Sequence, residues 1–302
     1  MKKILLSALT IAASMSVYAD YADFSKIVYL PMDITGETLE NKMGEDGTLS
    51  KDSEGTGATA VEGFVGGAAQ FDGKSWYEVP FTANLNFGEN DFTLEFLFKS
   101  VDGTLSGYAL MLGANTADWV GFEFKDPNLL FAAKGGGTKS QAGLACLEDV
   151  VDGEWHHIIA VRDHVSPTLD LYLDGNLIDS KTDKTKSIEI DLPFYVGCNP
   201  TPSILEGTPP FTGCLDEVAI FNGAMAMTDV EERYEDLTTT GGINAAIASM
   251  ENATVTVYNL NGVEVARGAG NVDSLVNGLD KDLYVVVVSN GTAREVKKFI
   301  KK

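Results

Sequence analysis

The chain has 302 residues, and its 44 Asp and Glu outnumber its 22 Lys and Arg, leaving a formal net charge of −22. Such acidity repels nucleic acid and anionic lipid, so both are set aside as partners. A hydrophobic content of 44% over this length is enough for one large all-β domain and a smaller module.

Residues 1–19 read as a secretory signal peptide: Lys2-Lys3, an apolar run from Ile4 to Val17, then Val17-Tyr18-Ala19 with cleavage expected before Asp20. No later apolar run approaches the roughly 20 residues a membrane span needs. Ile27 to Leu30 is a first strand, and residues 36–57, rich in Gly, Thr, Ser and Glu, read as an extended loop. Ala68 to Gly73 enters a strand at Trp76 to Val79. Phe92, Leu94, Phe96 and Phe98 then alternate with Thr93, Glu95, Leu97 and Lys99, which sends three phenylalanines from one face into a core.

Further strands are expected at Tyr108 to Leu112, Trp119 to Phe124, Leu129 to Ala132, His156 to Val161, Leu169 to Leu173, Phe194 to Val196 and Leu215 to Phe221. The turns between them include Asp72-Gly73, Asp102-Gly103, Asp152-Gly153 and Asp174-Gly175. That pattern predicts an all-β chain folded as two packed antiparallel sheets. A helix is predicted at Thr228 to Tyr234, with Thr228 and Glu231 spaced as a capping box. Residues 238–250, opening Thr-Thr-Thr-Gly-Gly, read as a linker. From 251 to 302 a second pattern follows: a hairpin through Val255 to Val265, an apolar strand at Leu283 to Val288, and a last hairpin through Asn290-Gly291.

Four segments in order resemble the laminin-G-like jelly roll of the concanavalin A-like lectin/glucanase fold. They are Gly67 to Gly73 with Tyr77-Glu78-Val79-Pro80; Phe92-Thr93-Leu94-Glu95-Phe96; Gly153-Glu154-Trp155-His156-His157 with Leu171-Tyr172-Leu173-Asp174-Gly175; and Phe211 to Asn222 with Ala224-Met225. The resemblance covers residues 20–237 and implies a two-sheet antiparallel jelly-roll sandwich. The C-terminal pattern, Val257-Tyr258-Asn259-Leu260 before Leu283-Tyr284-Val285-Val286 and a lysine-ended tail, resembles the sorting domain of type IX secretion. That implies handling by secretion machinery at the surface of a Gram-negative-type cell; a small β-sandwich serving adhesion or packing is the alternative.

Export would place the three cysteines in an oxidising compartment. Cys198 and Cys214 lie at the inner ends of two predicted strands, so a bridge between them is the expected pairing. It would close about 17 residues and contribute roughly 3 kcal/mol, leaving Cys146 over.

Because the resembled fold includes glucanases, catalysis has to be tested. Those enzymes carry carboxylates at alternate strand positions facing a cleft, whereas Glu189-Ile190-Asp191-Leu192-Pro193-Phe194 lacks the final one. His156 and His157, adjacent on a strand, point to opposite faces and do not share a zinc ion. Calcium suits the fold better: by resemblance, Asp72 and Asp216 are the candidate ligands, against a reading in which Asp72 only shapes its turn and Asp216 makes a local hydrogen bond. Glycan recognition needs aromatic faces beside directed polar groups, and Trp76, Tyr77, Tyr108, Asn115, Asp118 and Trp119 are the candidates. The expectation is a secreted, non-catalytic recognition protein for a glycan or a surface protein. A glycoside hydrolase and a purely structural surface module stand as alternatives.

Overall fold

The structure, a computed structural model, describes residues 24–301 apart from 35, 115–116, 126–127, 137–140, 201–209, 251, 270–271 and 281. The signal peptide expected at 1–19 lies outside the described residues.

In chain order the strands of the main domain are β1 (Lys26–Leu30), β2 (Thr38–Leu39), β3 (Gly47–Lys51), β4 (Thr59–Glu62), β5 (Gly67–Asp72), β6 (Ser75–Val79), β7 (Phe92–Lys99) and β8 (Gly107–Gly113). They continue with β9 (Trp119–Lys125), β10 (Asn128–Lys134), β11 (Gln141–Cys146), β12 (Trp155–Asp163), β13 (Thr168–Leu173), β14 (Asn176–Thr182), β15 (Phe194–Val196) and β16 (Thr212–Asn222). A 3-10 turn at Ala83–Leu85 precedes β7. The strands form two eight-stranded sheets: β14-β13-β12-β7-β16-β5-β4 with β1 also on β16, and β11-β10-β9-β8-β15-β6-β3-β2. The stretch 36–57, expected as loop, thus supplies β2 and β3. Sheet edges tolerate strands that are short and polar, so little in its composition announces them.

The core between the sheets is aromatic. Phe96 meets Phe122 edge-on at 4.9 Å, Phe98 lies 4.9 Å from Phe124, and Phe122 lies 4.7 Å from Phe131, while Phe71 reaches both Tyr77 and Phe211. Such ring pairs contribute about 1 kcal/mol each beyond the area they bury.

The central strand β7 departs from simple alternation. Thr93, Glu95 and Leu97, on the face opposite the phenylalanines, are buried as well. The cause is helix α1 (Met227–Ser249), which covers the outer face of the first sheet. Its Val230 joins Ile159, Val161, Tyr172, Phe221 and Met225 in a second apolar cluster. The helix begins two residues earlier than Thr228 requires, because the Asp229 carboxylate accepts a hydrogen bond from Ala226 N–H (2.8 Å) and so takes the capping role.

The same helix runs through 238–249, most of the stretch expected as a linker. Three threonines and two glycines have poor helix propensity. The Thr238 hydroxyl nevertheless donates back to the Tyr234 carbonyl (2.8 Å), and Ile243 is fully buried in the C-terminal core, so tertiary packing outweighs local preference. Beyond it lie β17 (Thr254–Asn259), β18 (Glu264–Gly268), α2 (Val272–Val276), β19 (Asp282–Ser289) and β20 (Arg294–Lys301). The four strands pair in the order β18-β17-β19-β20, and Val255, Val257, Val286 and Val288 pack beneath α1 and α2.

All three cysteines are buried free thiols, so the Cys198–Cys214 bridge is not formed. Burial pushes the Cys214 thiol up to about 11 and the Cys198 thiol higher still. Among the described residues, no helix is long and apolar enough to cross a membrane.

Candidate functional site

The outer face of the second sheet carries a trench of about 610 Å³. Strand alternation builds it. Val120, Phe122 and Phe124 of β9 and Leu129, Phe131 and Ala133 of β10 point into the core, which leaves Trp119, Gly121, Glu123, Leu130, Ala132 and Lys134 on the opposite face, Trp119 and Lys134 each only 9% exposed. The register then sorts these by size. Gly121 lies opposite Ala132, and Ala132 opposite Gly143, giving a floor of small residues that runs across the strands. One wall pairs Trp119 with Lys134; the other pairs Tyr108 with Glu123 and Glu123 with Leu130. Trp119 and Glu123 are four residues apart on one strand, so the walls stand roughly 13 Å apart across the floor. Lys181 of β14 closes one end, its ammonium donating to the Gly143 carbonyl and lying 3.4 Å from Asp179.

The structure brings three of the expected aromatics onto this face. Tyr108 and Trp119 line the trench. Trp76 stands on the same face two strands beyond Tyr108, with its indole N–H donated to Glu78 at 3.3 Å. Tyr77 turns the opposite way into the core, where it is fully buried and meets Phe71; it is not a surface residue. Asp118 staples two loops, its Oδ2 accepting from Gly136 N–H (3.2 Å) and Glu189 N–H (3.1 Å). Asn115 lies outside the described residues. The small floor, Leu130, Glu123 and the two lysines were not foreseen: the glycines and alanines become a floor only once the register of three strands is known.

The two aspartates expected to share calcium are not brought together. Asp72 pairs with Thr212, four residues before Asp216, which places the two roughly 13 Å apart along neighbouring strands. Asp72 accepts from Thr56 N–H (3.0 Å), the Thr56 hydroxyl (3.1 Å) and Lys74 N–H (2.9 Å). Burial works to raise its pKa, but these hydrogen bonds together hold it below the ordinary carboxylate range. Asp216 is fully buried at a bulge in β16 and accepts from Phe64 N–H (2.8 Å) and Val65 N–H (2.9 Å), while burial holds its carboxyl well above the usual range. Among the described residues no group of three or more His, Cys, Asp or Glu side chains could hold a metal.

A second polar assembly lies under α1. Arg233 donates from Nε to both oxygens of Glu95 (3.0 Å each) and from Nη2 to Oε1 (2.6 Å). His157 Nε2 stands 3.4 Å from Glu95, near enough for attraction although not aligned for a hydrogen bond, and its ring stacks on Tyr234 at 6.1 Å. Burial alone would raise Glu95; the Arg233 charge, with help from His157, outweighs it and holds the carboxyl at about 2. Glu217, which accepts from the Tyr29 hydroxyl (3.0 Å), is pushed up to about 7 because burial outweighs Arg233, 4.0 Å away. Such divergent carboxyls can serve acid–base chemistry, but α1 seals this pair from any cleft, and its role is to fasten the helix. The adjacent Asp174 accepts from His157 N–H (2.8 Å) and holds His156 Nδ1 at 2.9 Å, raising that imidazole above its ordinary value.

The sequence profile of the Concanavalin A-like lectin/glucanases superfamily matches residues 71–231, just over half of the chain. Laminin subunit alpha-1 of Homo sapiens is 30% identical over 155 residues, which take in 48% of this chain and 5% of that protein; the chain therefore spans a small part of that relative. The binding domain of Paraclostridial Mosquitocidal Protein 1 superposes with a TM-score of 0.58 at 17% identity, covering 93% of this chain and 74% of its own. Domain 4 of AbnA, an extracellular arabinanase from Geobacillus stearothermophilus solved with arabinotriose, gives 0.53 at 19% identity over 69% of this chain and 98% of its own. Botulinum neurotoxin type C, whose cell entry depends on two ganglioside molecules, gives 0.57 at 14% identity over 92% and 73%. At these identities the likeness to solved structures is one of fold.

Proposed function

The chain belongs to the concanavalin A-like lectin/glucanases superfamily, and from that premise we propose that it is a non-catalytic recognition protein that holds a glycan in the trench of the second sheet. The observation that carries this reading is the pairing of a small-residue floor with an aromatic on each wall. A sugar ring lies over Gly121, Ala132 and Gly143 with its apolar face toward the Trp119 indole or the Tyr108 ring, and its hydroxyls reach Glu123, Lys134 and Lys181. The volume falls within the several hundred Å³ usual for small-ligand sites. Glycoside hydrolysis needs two carboxyl groups about 5–9.5 Å apart, and among the described residues Glu123 is the one carboxylate lining the trench, which favours binding over turnover. Neighbours solved with arabinotriose or described with gangliosides lend support through a shared fold.

The test is a glycan array probed with the full chain and with Trp119→Ala, each with and without calcium. Binding to one glycan class that falls at least tenfold in the variant supports the reading. No binding to any glycan, or hydrolysis of a bound one, overturns it.

We further propose that the C-terminal sheet serves export or tethering, on the strength of its strand pattern and lysine-rich last strand. Deletion of residues 251–302 is then expected to abolish surface delivery, and unchanged delivery would sink this part.

A further inference from the structure

A second hollow, of about 360 Å³, opens at one end of the jelly roll between the start of β1, the 3-10 turn and the end of β16, and shares no residue with the trench. Its rim is built from uncharged hydrogen-bonding groups. Asn84, Asn90, Asn222 and Ser25 line it, all exposed, and none of these side chains has a hydrogen-bond partner among the described residues.

The backbone beneath the rim is fixed from behind. Arg162, wholly buried, donates from Nη1 to the carbonyls of Gly88 (3.0 Å) and Asn90 (3.1 Å), and from Nε to Asp183 (2.9 Å). Asp91 Oδ1 accepts from His164 N–H at 2.7 Å, and Asn222 N–H donates to the Ser25 carbonyl at 3.0 Å. On the other flank Asn86 accepts from Ile190 N–H (3.0 Å) and donates to Glu189 (3.0 Å). Buried Phe87, packed at 4.4 Å on Phe92, and buried Phe221 complete the lining. A rim held this way pays little ordering entropy when a ligand arrives.

The lining decides the ligand class. Among the described residues that line it there is no cation to attract an anion, and the one carboxylate, Asp91, already has an oxygen engaged, a poor start for a hard metal ion that wants six to eight oxygens. A carboxamide, by contrast, presents an acceptor oxygen and two donor hydrogens in one plane, which matches hydroxyls that each donate and accept. We propose that this hollow is a second binding site, for a neutral sugar residue, independent of whatever occupies the trench. Occupancy of both sites by one polymer or one glycosylated surface would add avidity without any new contact.

The experiment uses the full chain labelled with nitrogen-15 and follows the side-chain amide signals of Asn84, Asn90 and Asn222 while glucose, galactose, mannose, arabinose and N-acetylglucosamine are added in turn. At least one sugar is expected to move these signals saturably, with a dissociation constant in the millimolar range. Asn90→Ala and Asn222→Ala, both at exposed positions, are expected to keep the melting temperature and lose the response. The Trp119 indole signal reports the trench separately, so either site can fail without the other. The proposal is overturned if no sugar moves the amides, if calcium chloride alone moves them and sugars do not, or if the response survives Asn222→Ala.

Discussion

Arg233→Met tests how α1 is fastened. In the intact protein the guanidinium makes three hydrogen bonds to a Glu95 carboxylate that has no exposed surface, and methionine keeps the apolar stem while removing the charge. A carboxyl held at about 2 rather than at 4.5 contributes about 3 kcal/mol at neutral pH. Removing one partner of a buried pair costs about 3–5 kcal/mol by general experience, the same order. The pH dependence carries a sign. Because the folded value of Glu95 lies below its unfolded one, its contribution is present above about 4.5 and is lost as pH falls toward 2. Glu217 acts in the opposite sense: raised to about 7, it favours the folded state below 4.5 and loses that contribution as pH climbs through 7. Arg233→Met removes the cation that restrains both carboxyls, so the variant is most handicapped near neutrality and least in acid. Urea unfolding of both proteins at about pH 7 and about pH 3, compared at equal m-values, measures the gap. A gap below about 1 kcal/mol at neutrality, or one that does not narrow in acid, would refute the reasoning.

Arg162→Met strips the partner from the buried Asp183 carboxylate and from the carbonyls of Gly88, Asn90 and Lys186; urea titration should show a loss of about 3–5 kcal/mol, and a loss under about 1 kcal/mol would contradict that count. Gly175 sits at φ +77° with its Cα under the Tyr234 ring, where an added Cβ would come within 3.1 Å of Cδ1. Gly175→Ala should therefore cost about 2 kcal/mol in the same assay, whereas a neutral or stabilising change would count against the tight seat of α1 on the β13–β14 turn. Alkylation in denaturant without reductant should add three labels, one for each free thiol; a single label would restore the Cys198–Cys214 bridge.

The architecture was legible where apolar alternation is strong. The β7 run, the β12–β13 hairpin and the β16 strand announce themselves because core-facing Phe, Leu, Ile and Val recur at every second position. The edge strands β2, β4 and β14, and the short β3 beside β2, do not, since polar residues suffice where one side of a strand faces water. The continuation of α1 through Thr238 to Gly242 was hidden for a different reason: its stabilisation comes from Ile243 in the C-terminal core, a contact invisible to local propensity. Of the site, the aromatics Tyr108 and Trp119 could be picked out by type. Tyr77 could not be told from them, because only its position between Trp76 and Glu78 on β6 decides that it faces inward. Asp72 and Asp216 looked like partners on the strength of resemblance, and the β5–β16 register separates them.

The central claim is that a glycan lies along the small-residue floor, and Gly143→Leu addresses it most directly. A Cβ at Gly143 meets nothing closer than 3.8 Å, and the residue has no left-handed backbone, so a larger side chain enters the trench without straining the sheet. Calorimetric titration of the best array ligand into the intact protein and the Gly143→Leu variant should show affinity falling by more than about tenfold, roughly 1.4 kcal/mol, at an unchanged melting temperature. Equal affinity in the two proteins would mean that the ligand sits elsewhere and the trench is not the site.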